Sequence, residues 1–401
     1  MSARLHLRPG KEKPLRQRHP WIFSGAIQRV QGQPAPGEIV AVHAADGAWL
    51  AWAEFNPHSQ IRARAISWEQ AWPDEAFWRA RLAASIARRR QLLPAAFAEV
   101  GACRLVFAES DGLPGLIVDR YGPHLVLQAL TAGAEARKAE TVRHLVDLLQ
   151  PASIVERDDP MRGKEGLPPA AGALYGQPPA EPALIDEQGH RFLVDLAGGQ
   201  KTGFYLDQAG NRADLAPYCA GAEVLNAFSY TGAFSVYALA AGARHVLNLD
   251  ASAEALDLAA RNLALNGFGP ERWALMQADV FTQLRVWRDA DPQAGGRRFD
   301  LIILDPPKFA SSRGQIDRAA RGYKDINWLA MRLLRPGGLL ATFSCSGLID
   351  RDLFQKILFA AALDAGREAR ILRQFSQAVD HPVLLTFPEA AYLKGCLCHV
   401  A

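Results

Sequence analysis

The chain has 401 residues, of which 49% are hydrophobic and 22% charged, with a net charge of +3; that length exceeds one ordinary core, so two or three domains are expected. No stretch reaches the roughly 18 uncharged apolar residues of a membrane span, and the first residues lack the apolar core of a signal peptide. The five cysteines, at 103, 219, 345, 396 and 398, are odd in number and scattered, which argues against a disulfide framework and for a cytoplasmic protein without a membrane partner.

Residues 1–72 are a series of short apolar runs stopped by turn residues. Leu5-His6-Leu7 leads to Pro9-Gly10, Trp21-Ile22-Phe23 to Ser24-Gly25, Glu38 through Val42 to Asp46-Gly47, and Trp49 through Phe55 to Asn56-Pro57. This punctuation predicts a small β-barrel. A second segment, 73–185, opens with a predicted helix from Glu75 to Leu93. It continues with strands at Leu105–Phe107, Leu116–Asp119 and His124–Leu130, a helix from Glu135 to Leu149, and a Pro- and Gly-rich loop over 158–183, together a small α+β domain.

Within the third segment, 186–401, strands and helices alternate. Strands are predicted at Glu223–Phe228, His245–Asp250, Trp273–Asp279, Phe299–Leu304 and Gly338–Ser344, with helices at Ala233–Ala241 and from a Ser252 cap to Asn266. Such alternation predicts an α/β fold with a doubly wound, mostly parallel sheet, whose ligands sit beyond the carboxyl ends of its strands.

Those strand ends carry the chemistry. The first is followed by Asn226-Ala227-Phe228-Ser229-Tyr230-Thr231-Gly232, a tight turn with one glycine where a dinucleotide site has three. Asp250 ends the second strand, placed for the vicinal hydroxyls of a ribose, and Asp279 ends the third, placed for an adenine amino group. The fourth ends in Asp305-Pro306-Pro307-Lys308-Phe309, where two prolines stiffen the backbone and remove two donors. The fifth ends in Ser344-Cys345-Ser346-Gly347. A thiol at a strand exit between hydroxyls is a candidate nucleophile once its ionisation is favoured. Cys396-x-Cys398-His399 lacks a second ligand pair for a metal and reads as an alternating edge strand. Two basic runs, seven Lys or Arg in residues 1–30 and Arg79, Arg81, Arg88, Arg89, Arg90 and Arg104, are candidates for neutralising phosphates.

Taken together, Leu7-Arg8-Pro9-Gly10, His19-Pro20-Trp21-Ile22-Phe23, Ser110 through Leu116, Gln200-Lys201-Thr202-Gly203-Phe204-Tyr205-Leu206-Asp207-Gln208, the Asp-Pro-Pro-Lys-Phe run and Ser344-Cys345-Ser346 resemble a bacterial family. It is the large-subunit (23S) ribosomal RNA cytosine-C5 methyltransferases with an N-terminal PUA domain. The resemblance implies a PUA-like barrel, a central α+β domain and a C-terminal Rossmann-like class I methyltransferase sheet. It implies S-adenosyl-L-methionine as cofactor and ribosomal RNA, free or in the assembling large subunit, as partner. It is compatible with a homodimer and calls for no metal.

The cofactor residues it implies are Gln200, Lys201, Thr202, Tyr205, Asp207, Asn226, Phe228, Ser229, Tyr230, Asp250, Ser252, Asn266, Asp279 and Asp305. Pro306, Pro307, Lys308 and Phe309 would hold the substrate base, and Cys345 and Asp305 would be catalytic. Relatives often place an arginine directly after the glutamine at 208; here Arg212 would take its place. A sister family acting on guanine shares the 201–208 run but resembles the chain less around Cys345. A non-catalytic RNA-binding assembly factor is the other alternative.

Overall fold

The turn-bounded runs of the first segment form a six-stranded sheet in the computed structural model, which describes residues 3–199, 202–290, 297–310 and 312–401. Its order is Trp21–Phe23, Ile61–Ser67, Trp49–Phe55, Ile39–His43, Arg4–Leu7, Ile27–Gln31. Period-two alternation sends Leu5, Leu7, Val40, Val42, Ala51 and Ala53 into one apolar cluster. A five-stranded sheet follows, ordered Gly172–Gly176, Ser153–Glu156, His124–Ala129, Leu116–Tyr121, Ala102–Phe107. Its first strand lies inside the run expected to be a loop, which also contains the short helix Met161–Lys164.

The helix Glu75–Leu92 begins where the Asp74 carboxylate accepts the Phe77 amide, satisfying one of the donors every helix start leaves open. It buries Trp78, Leu82 and Ile86 in a cluster that also holds Ile39 and Ile66 of the first sheet and Leu105 and Val118 of the second. Because these segments share a core, the chain does not divide into three consecutive domains. One compact unit comprises Met1–Asp186, Val194–Leu206 and Val379–Ala390; the other comprises Glu187–Leu193, Asp207–Ala378 and Ala391–Ala401.

The arginine run at 79–104 also departs from expectation. Arg89 is buried and pairs with Asp111, Arg88 shares the same carboxylate, and Arg104 makes a two-pronged pair with Asp119. Half of this run therefore balances internal acids. All seven basic side chains of residues 1–30 face solvent instead.

In the second unit we label, in chain order, strands β1 (Glu223–Ala227), β2 (His245–Asp250), β3 (Trp273–Gln277), β4 (Phe299–Leu304), β5 (Leu334–Ser344), β6 (Ala369–Ser376) and β7 (Lys394–Val400). Helices are α1 (Ala209–Leu215), α2 (Ala233–Ala240), α3 (Ala253–Leu265), α4 (Val280–Asp289), α5 (Ile316–Leu333) and α6 (Arg351–Ala365). The sheet order is β3-β2-β1-β4-β5-β7-β6, parallel through β5, with β7 antiparallel to both its neighbours. All-apolar strands such as Leu301–Leu304 suit a sheet buried on both faces.

β7 is thus an inner strand and not the edge expected of Cys396-x-Cys398-His399. The edge is β6, whose polar, arginine-bearing sequence hides its strand character. Cys396 and Cys398 lie in the apolar core, where burial pushes their thiols up to about 11 and about 12.

Candidate functional site

β1 leaves the sheet through a strained turn. Phe228 and Tyr230 have φ of +60° and +47°, a left-handed conformation costing a non-glycine residue about 1–2 kcal/mol. Gly232, at φ +78°, is the one residue in the turn suited to it, and a Cβ there would meet the Ala259 Cβ at 3.0 Å. The turn is held by Asp250, whose Oδ2 accepts the Tyr230 amide at 2.8 Å and whose Oδ1 accepts the Ser252 amide at 3.0 Å. Between the two aromatic residues, the Ser229 hydroxyl is buried without a hydrogen-bond partner among the described residues, as is that of Thr231. A buried hydroxyl left unpaired inside a strained turn has the character of a ligand cradle.

This cradle fits S-adenosylmethionine. The carboxylate at the β2 exit suits a ribose diol, the Ser229 hydroxyl suits a polar tail, and no tight passage for a pyrophosphate is provided. At the β3 exit Asp279 caps α4: its Oδ1 accepts the Thr282 hydroxyl and amide, which hold its carboxyl below the usual range. Asp279 is exposed, so it still presents an acid at the third strand end.

Several expected cofactor residues make structural bonds within the protein. Asn226 is buried and its amide donates to Ser235, which donates to Asn248, a polar thread running under α2. Ser252 caps α3 through the Ala255 amide. The Asn266 carboxamide accepts the Arg191 amide and donates to the Arg191 carbonyl, so it straps a strand edge. Asp207 accepts the Tyr392 hydroxyl and, through its carbonyl, the Ala378 amide. Arg212 is buried in a two-pronged pair with Glu187. Thr202 donates to Asp119 and meets the Tyr121 hydroxyl. Tyr205, like Thr202, belongs to the other compact unit, half-buried. Gln200 and Lys201 lie outside the described residues.

The β4 and β5 exits are neighbours, since Leu304 stands opposite Thr342 in parallel register. Asp305 accepts from the Gln208 carboxamide at 3.0 Å, and Gln208 in turn accepts from Asn211 at 2.6 Å. Both amides are buried, so the Asp305 carboxylate is aimed by a fixed two-step relay. The following run splits: Pro306 is buried, Pro307 and Lys308 are exposed. Phe309 packs on Tyr323, with ring centroids 4.5 Å apart, and on Phe281, which also meets Phe228. Phe228 and Phe309 are therefore walls as much as platforms.

Cys345 begins the β5 exit and is the one cysteine not fully buried. Its neighbour Ser346 joins the two exits: its Oγ receives the Ala310 amide at 3.4 Å and lies 3.3 Å from the Tyr323 hydroxyl. Burial raises the Tyr323 phenol, keeping it a neutral hydroxyl. Beside this turn lies Lys394, the first residue of β7. It is 4% exposed, and its Nζ donates to the carbonyls of Ser346 and Ile349, each at 2.6 Å. Sequence reasoning gave no site role to Gln208, Asn211, Tyr323 or Lys394. A lysine opening a run as apolar as Gly395 through Leu397 was the available signal for the last.

A PUA-like domain model matches residues 5–68, and a model of the S-adenosylmethionine-dependent methyltransferases matches residues 161–397. The ribosomal RNA large subunit methyltransferase I of Vibrio cholerae is 48% identical over 406 residues, with all of both chains covered. The protein of that name from Shewanella amazonensis is 48% identical over 403 residues, again covering all of both. Among solved structures, a Streptococcus mutans protein described as a SAM-dependent methyltransferase superposes with a TM-score of 0.85 at 22% identity, covering 99% of each chain. A methyltransferase complexed with SAH gives the same values. At that identity the two structures speak for the fold.

Proposed function

Since the chain belongs to the S-adenosylmethionine-dependent methyltransferase family, with full-length relatives named ribosomal RNA large subunit methyltransferase I, we propose that it methylates C5 of a cytosine in large-subunit (23S) ribosomal RNA. The observation that carries the reading is a partly exposed thiol, Cys345, at a strand exit joined through Ser346 to the loop that begins at Asp305. A guanine methyltransferase has no need of that thiol.

Cytosine C5 is a poor nucleophile, and the Cys345 thiolate overcomes this by adding to C6. The new S–C6 bond moves the ring's electron pair toward C5, splitting one hard step into easier ones. When bound, S-adenosylmethionine supplies an electrophilic methyl group on a sulfonium. Asp305, aimed by Gln208, accepts from the cytosine N4 amino group and holds the ring in line with the thiolate and the methyl donor. Once C5 carries the methyl group, its proton passes to water, the C5=C6 bond re-forms and the Cys345 sulfur leaves as thiolate. The target base must leave its stack to reach this edge. Contacts to the RNA backbone fall to the PUA-like sheet and its exposed cations, which give affinity with little reading of sequence.

The test is to incubate the protein with labelled S-adenosylmethionine and ribosomal RNA, as free RNA and as assembling particles, and map the modified base. Methylated cytosine with wild type and none with Cys345→Ala is the expected result. Label on guanine, or full activity without the thiol, overturns the proposal, and no transfer at all returns the chain to a binding role.

A further inference from the structure

Lys394 is a buried charge beside the β5 exit that the reaction outlined above does not use. Strand register seats it opposite Ser344 of β5 and Ser376 of β6, and the next residue, Gly395, leaves no room for a side chain: a Cβ there would meet the Phe343 ring at 2.4 Å. β7 therefore packs tightly against the last residues of β5, and Lys394 is delivered beneath the Cys345 turn. Two of its three protons go to the carbonyls of Ser346 and Ile349. Among the described residues no carboxylate lies within ion-pair distance of its Nζ, so a buried ammonium is bonded to neutral groups.

A charge removed from water in this way is costly unless an anion faces it. The charged and titratable groups around Lys394 are few. Arg351 at the start of α6 and Lys308 on the β4 exit repel it; Asp350, which caps α6, and Cys345 attract it. Cys345 outweighs Asp350 among the attractions, and Asp350 already accepts the Leu353 amide. On the far side, Tyr323 of α5 faces the thiol as a neutral hydroxyl. Burial draws the Lys394 ammonium down to about 8, against which the Cys345 sulfur is the leading favourable influence.

We propose that Lys394 is a positioning residue that holds Cys345 as a thiolate, supplying the facing positive charge while its two carbonyl bonds fix the 345–349 turn. The thiol proton goes to solvent and the ammonium keeps its own three. This rests on the assignment of Cys345 as nucleophile only for its purpose; the electrostatic pairing stands or falls by itself.

The experiment is the pH dependence of Cys345 alkylation by iodoacetamide, read by mass spectrometry of its peptide in the full-length protein, for wild type, Lys394→Arg and Lys394→Met. The other four thiols are buried, and Cys345→Ala supplies the background. In wild type the thiol is expected to ionise below its ordinary value of about 8.5. Lys394→Met should raise that midpoint by about one unit, roughly a tenfold loss of thiolate near neutrality, and Lys394→Arg should keep it low. Superimposable profiles for wild type and Lys394→Met overturn the proposal. So does a wild-type midpoint at or above the ordinary value, which needs no variant to fold. If Cys345→Ala still methylates RNA while Lys394→Met shifts the profile, the nucleophile falls and the pairing survives; the reverse pattern separates them the other way.

Discussion

The two halves of the site are built of different material. At the β1 and β2 exits the turn is shaped mostly by backbone, two left-handed aromatic residues pinned by amides on Asp250. At the β4 and β5 exits it is side chain upon side chain, Asn211 to Gln208 to Asp305, and Lys394 beneath Cys345. Backbone suits the recognition of one unchanging cofactor, because its dipoles cannot rotate away. A reacting edge must place charge at single atoms, and side chains with fixed partners do that in a preorganised way.

The largest effect that would break this contrast lies at the reacting edge. Cys345→Ala should lower methyl transfer by about a thousandfold or more with cofactor affinity unchanged, as measured by single-turnover rates beside equilibrium binding. A parallel loss of both would mean that the halves are not separate. Stability against pH reports the buried charge. An ordinary lysine loses its proton near 10.5, and burial brings Lys394 to about 8, so between those values the unfolded chain binds more protons than the folded one. Folding stability from this group therefore rises with pH across that window, by up to about 3 kcal/mol, and is lowest below pH 8. Urea midpoints from pH 7 to 10.5, wild type against Lys394→Met, measure it; a flat difference refutes it.

Gln208→Leu leaves Asp305 unaimed while sparing its charge, and should cost about ten- to a hundredfold in turnover with KM for the cofactor held. At the binding edge the expectation reverses. Asp250→Asn should weaken cofactor binding by about tenfold, seen by calorimetry, and leave the rate at saturation near wild type. The smallest effect is conformational: Gly232→Ala puts a Cβ at positive φ against Ala259, costing about 1–2 kcal/mol, read as a fall of a few degrees in Tm.

The same contrast explains what could be read in advance. The parallel sheet, its strand exits and the acids at 250, 279 and 305 follow from apolar runs ending in unusual residues, and those signals are local. The structural bonds of Asn226, Ser252 and Asn266 were not legible because a polar residue near a strand end looks alike in sequence whatever it meets; the partners, Ser235, Ala255 and Arg191, are brought up by the fold. The arginine run at 79–104 failed for a related reason, since its counter-charges Asp111 and Asp119 are reached through the fold. β6 escaped notice because an edge strand needs little apolar patterning, and β7 was read as an edge because the strand covering it could not be seen.

The inner position of β7 has a consequence for the order in which the protein is made. Domains commonly fold as the chain emerges, earlier segments first. Here the segment Val379–Ala390 completes the first unit, and β7 must slide between β5 and β6, which precede it in the chain. Neither unit can close until synthesis has passed residue 390, and the thiol at 345 waits for the lysine at 394. The turn that carries Cys345 therefore gains its facing charge only after β7, made later in the chain, has joined the sheet.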